Sequence, residues 1–215
     1  MKRGAFITLE GPEGCGKTTQ IQRLAERVRA SGRPLLLTRE PGGTRTGEAI
    51  RQLLQHDSSD AEMNPRTETL LFCASRAQIV AQVIRPALEQ GTWVLCDRFT
   101  DSTLAYQGYG RGFALDELRA MNRFATGGLA PDLTILLDVP VEESFRRLAA
   151  RAAQSDRIER AAREFHERLR AGYLELAAAE PARFQVLNSL ASLEQTSAEI
   201  WRLVQQRFGA SEYAG

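Results

Sequence analysis

The sequence predicts an α/β protein, a mostly parallel sheet with helices on both faces, and three observations carry that expectation. Five short apolar runs recur along the chain, their residues do not alternate in polarity, and segments with helical spacing separate them. Continuous apolar character marks strands covered on both faces, and alternation of strand with helix is the pattern of parallel crossover units. The first run, AFITLE at 5–10, stops before a glycine-rich stretch. Residues 17–31 then place Ile21, Leu24 and Val28 on one helical face. PLLLTRE at 34–40 is the second strand, and residues 64–90 carry Leu70, Leu71, Ala74, Ala77 and Val80 at helical spacing until Pro86 intervenes. TWVLCDR at 92–98 and LTILLDV at 133–139 follow as strands. Residues 159–180 align Phe165, Leu169, Tyr173 and Leu176 as a helix face, RFQVLNS at 183–189 is the last strand, and ASEYAG at the end reads as a frayed tail. There is no internal repeat and no linker rich in Pro, Gly or Ser, so 1–215 is expected to be one domain.

A chain of 215 residues can bury a substantial core without disulfides or metals. With 28 basic and 27 acidic side chains the net charge is +1, which argues against a nucleic-acid coat or a polybasic membrane surface. Cys15, Cys73 and Cys96 are odd in number and far apart, which fits neither a disulfide framework nor a zinc site; a reducing, cytoplasmic setting is expected. No apolar stretch approaches the ~20 residues that span a bilayer. The basic residues are 26 Arg and only 2 Lys, Lys2 and Lys17. Coding bias accounts for a general preference for Arg, but not for the place where lysine is kept.

That place is GPEGCGKT at 11–18, which satisfies G-x-x-x-x-G-K-[ST] and lies directly between a strand and a helix. Glycines here allow backbone amides to converge on phosphate oxygens beside a helix N-terminus. The loop, Gly11, Pro12, Glu13, Gly14, Cys15, Gly16, Lys17 and Thr18, is therefore expected to hold the phosphates of ATP. Lys17 reaches the β and γ phosphates, and the Thr18 hydroxyl ligates Mg2+. Strings that would mark a GTP switch, N-K-x-D and D-x-x-G, do not occur. Nor do the candidate strands end in Asp-Glu, the pair of a water-activating ATPase; they end in Asp97-Arg98 and Asp138-Val139. An acid followed by a base suits a kinase with a phosphorylated acceptor, because Asp97 can organise the metal while Arg98 holds a second anion.

REPGGT at 39–44, FCASRA at 72–77, DRFTDSTLAYQG at 97–108 and DRIE at 156–159 follow in that order. Together with GPEGCGKT they resemble thymidylate kinase of the bacterial type, over about residues 5–180. The resemblance implies a five-stranded parallel sheet wrapped by helices, transfer of the γ-phosphoryl group of ATP to dTMP with magnesium, and a homodimer. It also implies an acceptor site. Phe72 and Arg76, four apart on a helix, stack on thymine and bond a ring carbonyl, although Phe72 also suits a plain core position. Thr103 bonds the thymine edge where many relatives have Asn, and Tyr106 crowds the ribose 2′ position with Gln107 beside it. Glu13 points across the cleft to the acceptor 3′-hydroxyl, and Arg39 and Arg98 take the acceptor phosphate.

No arginine lies between Gly11 and Lys17. Instead, residues 145–170 carry eight Arg against four acids, and this stretch resembles the mobile lid of the bacterial subtype, at about 145–158. Arg147 and Arg151 best match as lid cations that act with Lys17 and Arg98 in catalysis, with Arg157 behind them; the others suit a solvated helix face. His56 and His166 are expected at the surface. Two further readings stay open at this point: a P-loop kinase for another small acceptor, and a nucleotide-binding switch module.

Overall fold

The computed structural model describes residues 3–56, 63–150 and 163–209. Five strands, β1 (Phe6–Glu10), β2 (Leu35–Arg39), β3 (Trp93–Asp97), β4 (Leu133–Asp138) and β5 (Phe184–Asn188), form one wholly parallel sheet in the order β2-β3-β1-β4-β5. All five lie where the apolar runs place them. The three inner strands are buried along nearly their whole length, whereas β2 and β5 are only partly so. An edge strand has one neighbour and incomplete cover, so continuous apolar character overstates its burial.

The first helix is α1 (Lys17–Ala30), which packs with α9 (Leu193–Phe208) on one face of the sheet. Ile21, Leu24 and Val28 meet Ile7, Leu9, Ile200 and Val204 there. Between them in the chain come α2 (Arg45–His56) and α3 (Pro65–Ile79), the latter capped by Asn64, whose side chain accepts from the Arg66 amide at 2.9 Å. Pro86 does not end this helix as expected. The chain passes through a π-helical turn, Val80–Ile84, and continues as α4 (Arg85–Glu89). A wider turn just before the proline accommodates the missing N–H and the ring without a break.

After β3, a single turn α5 (Thr100–Thr103) opens into a longer π-helical stretch, Leu104–Gly110, and then α6 (Leu115–Thr126). Beyond β4 come α7 (Val141–Ala149) and α8 (Arg163–Ala179). The π-helical stretch packs along α8, so that Leu104, Tyr106, Leu169, Tyr173 and Leu176 form a second core with Leu136 and Phe184. Phe6, Ile79, Ile84, Val94 and Phe99 make a third, under α3 and α4. Among the described residues no helix is long and apolar enough to cross a membrane. The expected lid, 145–158, begins within α7; its residues 151–158 and the 210–215 tail lie outside the described residues.

The sheet order puts the functional end at one place. From β1 the chain crosses toward β2, and from the adjacent β3 it crosses the other way toward β4. Ligands bind outside the carboxyl ends of strands where such connections diverge. Register sharpens this: Asp97 is the partner of both Leu9 and Arg39, so the loops that follow β1, β2 and β3 start side by side. The π-helical stretch that closes one side of this crevice depends on a close approach at Gly172, where a Cβ would run into the Tyr109 ring. We therefore predict that Gly172→Ala lowers unfolding stability by about 1–3 kcal/mol, measured by urea titration.

Candidate active site

The chain leaves β1 at Glu10 and turns through 11–16 into α1. Gly11 and Gly14 have φ of 138° and 71°, and each is also hemmed in: a Cβ would lie 2.5 Å from the Leu137 carbonyl oxygen at Gly11 and 2.8 Å from that of Ser144 at Gly14. The loop is thus wedged between the end of β4 and α7, and the Ser144 hydroxyl clamps it by donating to the Glu13 carbonyl at 2.6 Å. Gly16 occupies the N-cap position of α1 with no side-chain cap, and no acidic residue lies in the first turn. The free N–H groups and dipole of that turn are left for an anion. Lys17 is buried, and its ammonium donates to the Gly11 and Pro12 carbonyls at 2.8 Å, with Cys15 Sγ at 3.5 Å. Two neutral carbonyls and a long bond to a thiol take its three N–H groups, and the weak one to Cys15 is the one a phosphate would displace.

Across the crevice, Arg98 has φ 70°, the left-handed region that costs a non-glycine residue roughly 1–2 kcal/mol. Two bonds hold it there: the Arg98 amide donates to the Leu9 carbonyl at 3.0 Å, and the Phe99 amide donates to Glu10 Oε1 at 2.7 Å. The guanidinium lies over the Tyr106 ring, 5.0 Å from its centroid, and donates to the Gly11 carbonyl (3.1 Å) and Glu13 Oε1 (2.9 Å). The Tyr106 hydroxyl donates to the same Glu13 oxygen. Burial pushes the Glu13 carboxyl up, but Arg98, Lys17 and the Tyr106 bond outweigh it and hold it below the usual range. Burial likewise opposes the Arg98 charge, yet Tyr106, Glu13, Tyr173 and Asp97 hold the arginine well above its ordinary value. Both remain ionised at neutral pH. Two carboxylate oxygens at this spot, Glu13 Oε2 and Asp97 Oδ1, are buried and accept no hydrogen bond from the described residues.

A cavity of about 380 Å³ opens between the loop and the helices, within the size range of small-ligand sites. Arg76 forms its back wall and is 1% exposed. Its Nε and NH2 meet Glu40 Oε2 at 2.8 and 2.7 Å, NH1 donates to Thr103 Oγ1 (2.8 Å) and Asn122 Oδ1 (2.7 Å), and NH2 also donates to the Phe99 carbonyl (3.0 Å). Every N–H direction of the fork is engaged, so its plane is locked. Glu40 Oε1 accepts no hydrogen bond from the described residues, and burial raises the Glu40 pKa against the pull of Arg76. Gln107 donates to Glu68 Oε1 at 3.0 Å, and Arg111 grips the same carboxylate from its other side. Arg39 stands at the exposed rim, paired with Glu48 at 2.9 Å; Glu48 also accepts from the Gly43 amide at 2.8 Å.

The cavity brings together thirteen of the residues expected from sequence. Glu13, Gly14, Gly16, Lys17 and Thr18 come from the loop, Asp97 and Arg98 from the end of β3, and Arg39, Phe72, Arg76, Thr103, Tyr106 and Gln107 surround the remainder. Gly11, Pro12 and Cys15 shape the loop from behind and do not line it. Arg147 does not line it either: it donates to Glu143 (2.7 Å), the Ser189 carbonyl (2.8 Å) and the Gly14 carbonyl (3.4 Å). Arg151 and Arg157 lie outside the described residues. His166, expected at the surface, is 2% exposed and stands edge-on to Phe145 and Phe165; its isolation in sequence said nothing about α7 packing on α8. Six cavity residues went unnoticed in the sequence: Glu40, Pro41, Arg51, Leu54, Gln55 and Ser102. Glu40 sits inside REPGGT beside Arg39, and 51, 54 and 55 share a face at i, i+3 and i+4, a signal that was available but short.

A lysine-bearing phosphate loop on a helix N-terminus, opposite an Asp-Arg pair at the switch point of a parallel sheet, defines a P-loop phosphotransferase acting on nucleotides. The sequence profile of one such family, thymidylate kinase, matches residues 9–200, and the chain belongs to the thymidylate kinase family. It is 52% identical to the thymidylate kinase of Deinococcus radiodurans over 207 residues, covering 96% of this chain and 99% of that protein. Thymidylate kinases of Pelotomaculum thermopropionicum (52% over 187 residues, 87% and 86% of the two chains) and Geobacter sulfurreducens (51% over 202 residues, 92% and 94%) are similar over nearly as much. Replacing the buried ammonium by Lys17→Ala is expected to lower kcat on the order of a hundredfold or more, since it deletes a fixed cation at developing charge. Steady-state kinetics with ATP in excess checks this.

Proposed function

We infer that the cleft transfers the γ-phosphoryl group of ATP to dTMP, giving dTDP and ADP. The observation that carries this reading is the pair of cations that face one cavity from opposite sides, Lys17 in the phosphate loop and Arg98 at the end of β3, with Glu13 between them. A phosphate oxygen of dTMP attacks the γ-phosphorus, the bond from that phosphorus to the β,γ-bridging oxygen breaks, and ADP leaves with the electron pair. The attacking oxygen is already ionised, so no general base is needed; positioning and charge stabilisation are the protein's contribution.

Lys17 and the first turn of α1 hold the donor phosphates. Arg98, with Arg39 at the rim, holds the acceptor phosphate. Thr103 accepts from Arg76, so its own hydrogen is free to donate to a carbonyl on the edge of the base. Arg76, all five of its N–H groups already engaged, backs that edge as a locked planar wall and could bond a ring carbonyl only by releasing one of its partners, and Phe72 supplies a flat apolar wall. Glu13, ionised and with one oxygen unpartnered, accepts from the sugar 3′-hydroxyl, while Tyr106 closes the ribose side. Arg147 is held by Glu143, Ser189 and the Gly14 carbonyl, so a part for it in catalysis requires its side chain to turn away from these partners.

Magnesium fits the donor set. Thr18 exposes a hydroxyl at the start of α1, and the unpartnered Asp97 Oδ1 faces the same cavity. Both are the hard oxygen donors this ion prefers, and it takes its remaining ligands from phosphates and water. When bound, it neutralises charge on the β and γ oxygens.

The homodimer has a surface that supports it. Leu53 on α2, Leu70 on α3 and Phe124 on α6 are exposed, Phe124 to 92%, on three helices packed in succession. A second copy would remove these large apolar groups from water.

A coupled assay of ADP release over a panel of nucleoside monophosphates tests the activity. Turnover with dTMP is expected to exceed that with dUMP, dCMP and AMP; equal rates would overturn the specificity, and no turnover with any acceptor would return the switch reading. For the assembly, sedimentation velocity is expected to give a dimer that Phe124→Asp converts to monomer.

A further inference from the structure

We propose that Glu10 is a positioning residue of this site: through the hydroxyls of Ser102 and Tyr173 it aims the Arg98 guanidinium into the cleft, and through the Phe99 amide it holds the turn that carries Arg98. The proposal rests on the reading of Arg98 as a ligand of the acceptor phosphate.

Glu10 is the last residue of β1 and is 0% exposed, a carboxyl at the end of an otherwise apolar core strand. Its two oxygens collect donors from three parts of the chain. Oε1 accepts from the Phe99 amide at 2.7 Å, and Oε2 accepts from Ser102 Oγ at 2.6 Å and from Tyr173 OH at 2.9 Å. The same two hydroxyls accept from Arg98 NH1, each at 3.3 Å, and lie 3.0 Å from one another.

The donors and acceptors of this cluster constrain its polarity. Arg98 can only donate, so each hydroxyl turns a lone pair to it, sharing the two NH1 hydrogens with the closer Gly11 carbonyl at 3.1 Å. Each hydroxyl has a single hydrogen; Glu10 Oε2 accepts both, or one hydroxyl donates to the other, which in turn donates to Oε2. A carboxylate accepts at all these positions. A neutral acid or an amide does not: the Phe99 N–H still requires an acceptor at Oε1, so the new hydrogen appears on the side of Ser102 and Tyr173. One hydroxyl must then accept that hydrogen and turn its own toward the other hydroxyl, so the direct acceptance by Glu10 that fixes both hydroxyls, and through them Arg98, is lost.

The groups around Glu10 are Asp101 on α5, Arg98 beside it, Arg76 on α3, Cys96 on β3 and Tyr173 on α8. Burial first, and then Asp101, push the Glu10 carboxyl up to about 7, against the opposing pull of Arg98, Ser102 and Phe99. The carboxylate that aims Arg98 is therefore the form gained as pH rises through neutrality and lost as it falls.

The test is steady-state kinetics of the full chain, kcat and both KM values, across about pH 5.5 to 9. The wild-type protein is expected to lose kcat on the acid side of about pH 7. Glu10→Gln, which keeps the shape and loses the acceptor, is expected to lower kcat by about tenfold or more and raise the KM for dTMP, with the KM for ATP unmoved and the acid limb gone. Tyr173→Phe should lower kcat by about threefold and keep the limb. A general loss of structure would instead lower kcat with both KM values unchanged, or raise both. Wild-type kcat and dTMP KM in Glu10→Gln overturn the proposal. If that variant does not fold by circular dichroism, Tyr173→Phe and Ser102→Ala decide, and wild-type kinetics in both overturn it. Arg98→Ala separates the two readings. If Arg98→Ala is itself harmless, the acceptor-phosphate reading fails. If it is impaired but Glu10→Gln still costs the same factor on top of it, only the role of Glu10 fails.

Discussion

The parallel pairing of β1 with β3, which sets Leu9 opposite Asp97, is the constraint on which the site depends. A parallel ladder has every strand ending on the same side, and a shift of one residue would reverse the face of each side chain. With this register the phosphate loop begins two residues beyond Leu9, where β3 delivers Asp97 and Arg98. The same row includes Arg39 through the β2 pairing. Three loops carrying an ammonium, a carboxylate and two guanidinium groups therefore converge without any of them being close in sequence.

Convergence of charge in a buried crevice is costly unless each ion has a partner. Here the pairs are graded by depth. Arg76 and Glu40 are almost wholly enclosed, with every guanidinium direction engaged, and they serve as wall. Arg98 and Glu13 are partly open and share their charge with Tyr106, so each retains capacity for a ligand. Arg39 and Glu48 are at the surface and exchange readily with solvent. The lysine of the loop stands apart from all of these. It contacts only neutral carbonyls and a thiol, because a slender point charge can lie inside a glycine turn where a planar fork cannot.

The elements that were legible in the sequence were those with a strong local pattern. Inner strands β1, β3 and β4 are apolar throughout, and α1 and α8 carry their stripes clearly. Others were not picked up, for reasons that differ. Helix α7 has four charged residues among its nine and reads as solvated, though Ser144 on its inner face clamps the phosphate loop. Helix α9 had a readable start in Ser192 and Gln195, a reciprocal capping pair that is present in the fold. The π-helical stretch at 104–110 has no periodic signature, since it exists only by packing along α8 at Gly172.

The site divides in the same way. The sequence by itself determined the phosphate loop, the Asp97-Arg98 pair and the i, i+4 relation of Phe72 to Arg76, because each is a local pattern whose chemistry follows from spacing along the chain. Only the tertiary structure decided that Glu10 faces Ser102 and Tyr173 instead of solvent, that Glu40 locks Arg76, that Arg147 braces the loop from outside the cleft, and that His166 is buried. Each of these depends on which side of a strand or helix meets a partner dozens of residues away. Burial and pairing are properties of that meeting and leave no mark on the neighbouring letters.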